Sequence, residues 1–384
     1  MDFNLDKSQK EIQKAVRDFT KGEFDKDLGL DLEKEGKYPV DILAAACELG
    51  FIGIHFPETF SGGGMGLFEN CLIAEELCRK DSTLGLALML SGSGAECVLR
   101  FGGQDQKGKY LPAIAEGKML SATAFLEAGQ GFDLRQPQTT AKKDGDGWVI
   151  NGQKSLVLNG GTAGFYIVLC RTDEAAATPD KRMSLFIVDA DRPGISCQCV
   201  GRRMSCNMLA AADVTFTNVK VGADALLGKE GLGFTQVNTY FNELRVLLAA
   251  MAVGIAQGAY EKALDYIKQR EQFGKKLAMF HITWHKVADM VARIEYARTL
   301  TYRAAWTFDQ GKLDAGLAAM TKMTAAKAAM AVTYEAIQLY GGYGFMTEYE
   351  VEHFYRDAKF IDLFCGAVSV QKDIIAEAIV GKIK

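Results

Sequence analysis

Trp148-Val149-Ile150, Phe165-Tyr166-Ile167-Val168-Leu169 and Leu185-Phe186-Ile187-Val188 are the runs on which the fold turns. Each is rich in β-branched and aromatic residues, and each is too short for a helix. Asp144-Gly145, Asn151-Gly152 and Pro193-Gly194 punctuate them as turn signals. The pattern predicts a compact antiparallel β unit from about Ser121 to the turn before Leu226-Leu227-Gly228. Asn151-Gly152-Gln153-Lys154 and Asn159-Gly160-Gly161 would bracket one strand with two tight turns, glycine supplying positive φ.

The texture differs on both sides of this unit. Toward the N-terminus, Ile12, Val16 and Phe19 follow the spacing of one buried helix face, as do Ile42, Ala46 and Leu49. A glycine-rich loop, Ser61-Gly62-Gly63-Gly64-Met65-Gly66, comes after Pro57, and apolar helices are expected over 67–79 and 84–100. Toward the C-terminus, 234–270 holds no proline, and at roughly 1.5 Å per residue it makes a helix on the order of 50 Å long. Long alanine-rich helices over 280–310 and 313–339, with a last one from Val368, describe an antiparallel bundle. The domains expected are therefore 1–120 helical, 121–230 β and 231–384 helical.

Composition narrows the function. With 48% hydrophobic residues in 384, a large core is available, and a formal net charge of -4 gives no general affinity for nucleic acid. No run of 18 apolar residues suggests a membrane span. Met1-Asp2-Phe3-Asn4-Leu5-Asp6 places acids where a signal peptide has bases. Nine scattered cysteines suit a reducing compartment, so a cytoplasmic protein is expected. Cys197 and Cys199 would point the same way along a strand, as two ordinary thiols or as a redox or metal pair. His281 and His285, four apart on a helix, could form a metal pair, but a structural role is preferred and no metal is expected.

Two further stretches carry chemistry. Arg270-Glu271-Gln272-Phe273-Gly274 closes the first long bundle helix and reads by itself as a basic last turn with a glycine C-cap. Gln338-Leu339-Tyr340-Gly341-Gly342-Tyr343-Gly344-Phe345 follows a long helix. Its glycines allow close backbone approach, to a pyrophosphate or simply around a sharp turn.

In order and spacing these pieces resemble the acyl-CoA dehydrogenase family over the whole chain. The carriers are the Pro57 to Gly66 loop, Asn151-Gly152-x-Lys154, Arg270-x-x-Phe273-Gly274, Gln338-x-x-Gly341-Gly342-x-Gly344 and Arg356-Asp357-Ala358. The resemblance implies a mainly α fold with a β-barrel-like middle domain and a C-terminal four-helix bundle. It also implies FAD, an acyl-CoA substrate, a homotetramer and an electron-transfer flavoprotein or similar acceptor. Arg270 and Phe273 would meet the pyrophosphate and adenine side of FAD, and Gln338, Gly341 and Gly342 the same cofactor across a subunit interface. Phe125, Leu126, Gly131, Leu156 and Leu158 fall where the flavin ring is held. Asn242 and Arg245 sit where the family holds the CoA end. Ser91, Phe132, Phe364 and Gly366 complete the candidate substrate contacts.

The family reaction removes an α-proton to a carboxylate and a β-hydrogen as hydride to the flavin, while hydrogen bonds hold the thioester oxygen. The usual base is the Glu of a Glu-Gly-Thr motif, matched here by Cys365-Gly366-Ala367. A second branch keeps its base immediately before the arginine that matches Arg245, and here that residue is Leu244. Glu243 lies one step away, about 100° round the helix, as a candidate relocated base. The family's Thr-Glu-Pro is Leu126-Glu127-Ala128, its Gly-Ser-Asp is Gly131-Phe132-Asp133 and its Trp-x-Thr is Leu156-Val157-Leu158. An oxidoreductase with an altered base and altered regiochemistry is the leading expectation. A branch that forms cyclic dienoyl-CoA products uses an aspartate in the helix matching 84–100, which here offers Ser91 and Glu96 instead. The alternatives are a catalytically silent subunit that completes a partner's FAD site, and non-oxidative elimination from an acyl-CoA.

Overall fold

The structure is a computed structural model, described over residues 4–176 and 178–381. The first three residues, on which the N-terminal reading partly rests, and the last three of the expected C-terminal domain lie outside those ranges. Helices come first: α1 (Lys7–Glu23), α2 (Lys26–Glu35), α3 (Val40–Glu48), α4 (Leu67–Lys80), α5 (Ser82–Met89), α6 (Ser93–Phe101) and α7 (Gln104–Ala115). Strands follow: β1 (Ser121–Ala124), β2 (Thr140–Asp144), β3 (Gly147–Leu158), β4 (Phe165–Arg171), β5 (Met183–Asp189), β6 (Ile195–Cys199), β7 (Ala211–Val221) and β8 (Leu226–Leu227). Then come α8 (Gly233–Gln269), a hairpin of β9 (Glu271–Gln272) and β10 (Lys275–Lys276), α9 (His281–Asp309), α10 (Ala315–Tyr340), α11 (Val351–Leu363) and α12 (Val368–Val380).

The sheet order is β6-β7-β3-β2-β4-β5-β8, with β1 beside β4. Trp148, Ile150, Tyr166, Val168, Phe186, Val188, Val214 and Phe216 alternate along their strands and meet in one apolar core. The sheet is not wholly antiparallel, because β1 runs parallel to β4 over its whole length. Asn151-Gly152 makes no turn either. It lies inside β3, where the register to β7 shifts between Ile150 and Gly152. Gly152 has φ 148°, and a Cβ there would stand 2.5 Å from the Thr139 backbone, so glycine marks a bulge.

The motif residue Lys154 is fully buried, with Nζ 2.7 Å from Glu127 Oε1 and 3.2 Å from the Phe125 carbonyl. Glu127 also accepts from the backbone N–H of Gln138 and Thr139 at 2.7 and 3.0 Å. Burial lowers the Lys154 pKa. For Glu127 burial acts upward, but Lys154 and the backbone donors outweigh it and hold the carboxyl below its usual range. The pair ties β3 to the segment that follows β1.

The expected single helix over 84–100 is two helices. The chain breaks at Leu90–Gly92, where the Ser91 carbonyl accepts from Ser121 N at 2.9 Å. The Asn159 amide donates to the Leu90 and Ser121 carbonyls at 2.9 and 3.0 Å, which satisfies the break from the sheet side. The unit of α8 is 37 residues long and buried nearly all round. It is apolar and long enough to cross a membrane, yet 94% of its most apolar window is buried inside the protein, packed on α4, α9, α10 and α11. Asp357 of α11 is buried and accepts from the Ser82 and Thr83 hydroxyls at 2.6 and 2.7 Å, joining the bundle to α5.

Replacing Lys154 by Met leaves a buried carboxylate without its cation, so stability should fall by about 3–5 kcal/mol. A urea titration followed by Trp148 fluorescence measures this. A further Glu127→Leu change should recover part of the loss, and no loss in the single variant would contradict the role.

Candidate active site

Where α8 passes the sheet, aromatic side chains close on one another. Phe241 lies 5.1 Å from Phe132 and 5.9 Å from Phe125 between ring centroids, and Tyr240 lies 5.9 Å from Phe125. Leu244 and Ser91 are both buried. Cys365 follows α11 in a left-handed conformation, φ 56°, with Gly366 at φ 91°. The Gln371 amide donates to the Cys365 and Gly366 carbonyls at 3.0 and 2.8 Å, which fixes this turn. The Cys365 thiol points at the Phe241 carbonyl, 3.8 Å away. Phe364 is half-buried and stacks on Phe360 at 4.9 Å.

Two cations flank this thiol. Arg245 is 2% exposed, and its Nη1 donates to Asn242 Oδ1 at 2.6 Å. Its Nε is buried without a hydrogen-bond partner. Arg245 and Asn242 therefore bury their polar ends against each other. Lys322 is 1% exposed, and Nζ donates to the carbonyls of Asp362 and Gly366 at 2.9 Å each. Burial pushes the Lys322 pKa down to about 8 and lowers that of Arg245. Burial also raises the Cys365 thiol, although both cations pull it the other way. The chemistry on offer is an anion site lined by a neutral thiol.

Glu243 takes no part in it. Both of its oxygens accept from Arg100, at 2.5 and 2.8 Å. His55 Nε2 lies 2.9 Å from Glu96 beside this pair, and His55, Glu96 and Glu243 come within 4.8 Å of one another. Two carboxylates thus face a guanidinium and an imidazole. Burial opposes the His55 cation, but Glu96 and Glu243 outweigh it and raise the His55 pKa. The structure thus turns the candidate relocated base away from Cys365 and commits it to an ion pair. His281 and His285 are exposed, with rings 5.1 Å apart.

A second site opens at the far end of α8. The helix stops at Gln269, and Arg270 caps it in an extended conformation rather than with glycine. Phe273 and Gly274, at φ 53° and 75°, form the tip of the β9–β10 hairpin. The Phe273 ring is 93% exposed. Behind the hairpin is a cavity of about 570 Å³ lined by Tyr266, Arg270, Gln338, Gly341, Gly342 and Tyr343. A Cβ added at Gly341 or Gly342 would meet nothing within 4 Å, so bare backbone faces open space there. The Arg270 guanidinium lies 5.5 Å from the Tyr343 ring centroid. A cation beside exposed glycine backbone fits a pyrophosphate. At the sheet, Leu126 and Leu158 are half-buried, Leu156 is 60% exposed at φ 54°, and Gly131 is exposed at φ 56°. Leu126 accepts from Ser155 N at 2.9 Å, which keeps the ends of β1 and β3 together. What these positions offer a flavin ring is backbone, which depends on no particular side chain.

Family models for the acyl-CoA dehydrogenase N-terminal, middle and C-terminal domains match residues 6–118, 122–219 and 231–380. The chain belongs to the acyl-CoA dehydrogenase family. The short-chain specific acyl-CoA dehydrogenase of Clostridium acetobutylicum is 34% identical over 98% of this chain and 99% of its own. Butyryl-CoA dehydrogenase from Megasphaera elsdenii superposes with TM-score 0.92 at 34% identity, over 99% of this chain and 100% of that one. A chain described with the electron transferring flavoprotein of Acidaminococcus fermentans gives 0.94 at 34% identity, over the whole of both. The cofactor is FAD, and the activity class is oxidation of acyl thioesters.

Lys322, Gln371, His55 and Arg100 were missed in the sequence. Only Lys322 left a signal: of the two lysines in its alanine-rich helix, it is the one in line with Ala318, Ala325 and Ala329.

His55 is held above its usual pKa in the folded state. Its pairing should therefore stabilise the fold fully below about pH 6.5 and lose that effect as pH rises through the folded-state value. The difference in urea midpoint between wild type and His55→Gln should shrink from pH 6 to pH 9, and a constant difference would count against it. Arg270→Ala should weaken FAD retention about ten- to a hundredfold, the equivalent of one charge-assisted hydrogen bond. Flavin absorbance after gel filtration measures this.

Proposed function

We propose that this acyl-CoA dehydrogenase oxidises an acyl-CoA thioester without the usual carboxylate base. The supporting observation is Cys365, which matches the base position and is buried, with its thiol 3.8 Å from the Phe241 carbonyl and the Arg245 and Lys322 cations acting on it. FAD supplies the hydride acceptor when bound. The chain's own part is to place the acyl group. Phe125, Phe132 and Phe241 form the apolar, water-excluding wall, and the Gln371-braced turn sets Cys365 opposite it. A buried thiol is a poor base, so proton removal from an ordinary saturated chain is slow.

The same reading extends to assembly. Phe273, Phe345 and Ile282 are 93%, 84% and 64% exposed on the bundle. Exposed side chains of this size support association with further copies, in which Phe273 and Arg270 reach a neighbour's FAD in a homotetramer. The similarity to the Acidaminococcus fermentans chain supports an electron-transferring flavoprotein as acceptor. The leucines at 126, 156 and 158 also favour a second reading, a subunit silent in catalysis that completes a partner's site. Oxidised flavin at one per chain in the purified protein supports the enzyme, and a colourless assembly supports the silent subunit.

Cys365→Glu should raise anaerobic bleaching of the bound flavin by butyryl-CoA about 10²–10⁴-fold, the usual worth of general-base assistance. Fast bleaching by the wild type would overturn the claim that the base is missing.

A further inference from the structure

The buried carboxylate Asp357 is satisfied by two hydroxyl donors, and most other buried charges have a partner of opposite sign, but the buried cations Arg245 and Lys322 have no carboxylate hydrogen-bonded to them. Lys154 has Glu127, Arg100 has Glu243, Arg298 has Glu75 and Arg17 has Glu76. Arg245 has one neutral amide and an unpartnered buried Nε, and Lys322 has two backbone carbonyls. Lys322 holds the Gly366 carbonyl next to Cys365, and the Cys365 thiol lies 3.8 Å from the Phe241 carbonyl, one helical turn before Arg245. Keeping two cations out of water with no carboxylate hydrogen-bonded to either is costly. A bound anion removes that cost.

We infer that the space beside Cys365 is a carboxylate pocket formed by Arg245 and Lys322, and that the substrate is an acyl-CoA bearing its own carboxylate on the α-carbon. This rests on the proposed acyl-CoA oxidation, in which residue 365 faces the α-carbon. The missing carboxylate of the protein is replaced by one on the substrate, which also removes the need for a base. The bond from the α-carbon to the carboxylate breaks, CO2 leaves, and the electron pair stays on the α-carbon as the thioester enolate. The enolate forms the α,β double bond as the β-hydrogen leaves as hydride to the flavin. The products are the enoyl-CoA, CO2 and reduced flavin. FAD, when bound, would take up the hydride and with it the single negative charge of the carboxylate, and no proton is transferred. CO2 is uncharged, so it needs no counterion to leave. Arg245 and Lys322 select the carboxylate and orient it, as a bidentate guanidinium and a point charge do.

The test compares ethylmalonyl-CoA with butyryl-CoA, which lacks only the α-carboxylate, and with glutaryl-CoA, which carries a carboxylate at the distal end. Calorimetry on the flavin-loaded protein gives affinity, and anaerobic bleaching with trapped CO2 gives reaction. Ethylmalonyl-CoA should bind at least about tenfold tighter than either analogue, one such factor being 1.4 kcal/mol. It should release one CO2 per flavin bleached. Arg245→Gln and Lys322→Gln should each reduce the affinity ratio toward one, so either variant suffices if the other does not fold. Cys365→Glu, which fills the pocket from within, should reverse the preference in favour of butyryl-CoA. Equal affinities, a preference for glutaryl-CoA, or bleaching without CO2 would overturn the substrate while leaving the oxidoreductase reading intact. Tight, Arg245-dependent binding of ethylmalonyl-CoA without bleaching would uphold the pocket and overturn oxidation.

Discussion

The close crossing of α4 and α8 is the constraint on which the rest of the architecture depends. A Cβ at Gly254 would stand 2.2 Å from the Glu75 carbonyl oxygen, and one at Gly258 would stand 2.1 Å from that of Arg79. Two glycines one turn apart let two backbones meet where no side chain fits. That contact seats the N-terminal helices on the bundle and sets the depth of α8. Depth in turn brings Phe241 to the rings of Phe125 and Phe132 and buries Arg245 beneath them. Asp357 acts as a second tie, and its two hydroxyl partners at the start of α5 hold α11 and the turn at Cys365 to the same frame.

Charge inside this frame is distributed with economy. The sheet carries Lys154 with Glu127, and the helical layers carry Arg100 with Glu243 and Arg298 with Glu75. Each ties two elements that hydrophobic contact alone would leave free to slide, and each closes its own charge balance. A pair of that kind has little left to offer a ligand. The uncompensated cations next to Cys365 are different in kind, because their field is available to whatever enters.

Periodicity made most of the architecture legible. Spacings such as Ile12, Val16 and Phe19 report a buried face whatever the partner, so the helices and the intervening sheet could be read in order. Events decided by tertiary pairing could not. The break between α5 and α6 depends on Asn159 and Ser121 reaching across from the sheet. Asn151-Gly152 has the chemistry of a turn but lies within β3, because Thr139 packs against it. The parallel pairing of β1 with β4 has no local signature at all. At the site, Cys365 was visible through the motif around it. The direction of the Glu243 side chain was not, since one step along a helix decides between the thiol and Arg100, and Arg100 is far away in sequence.

The backbone at residue 365 has a consequence for how the site can change over time. Cys365 already occupies the left-handed region, φ 56°, which any residue with a Cβ adopts at a cost. The turn is braced through main-chain carbonyls by Gln371 and Lys322, so its shape does not depend on the side chain that it displays. An exchange of thiol for acid there meets almost the same backbone strain before and after. What changes is solvation, and the two neighbouring cations soften that for an acid. The position is therefore a reversible one: a lineage could pass between two chemistries by a single substitution, with the scaffold left as it was.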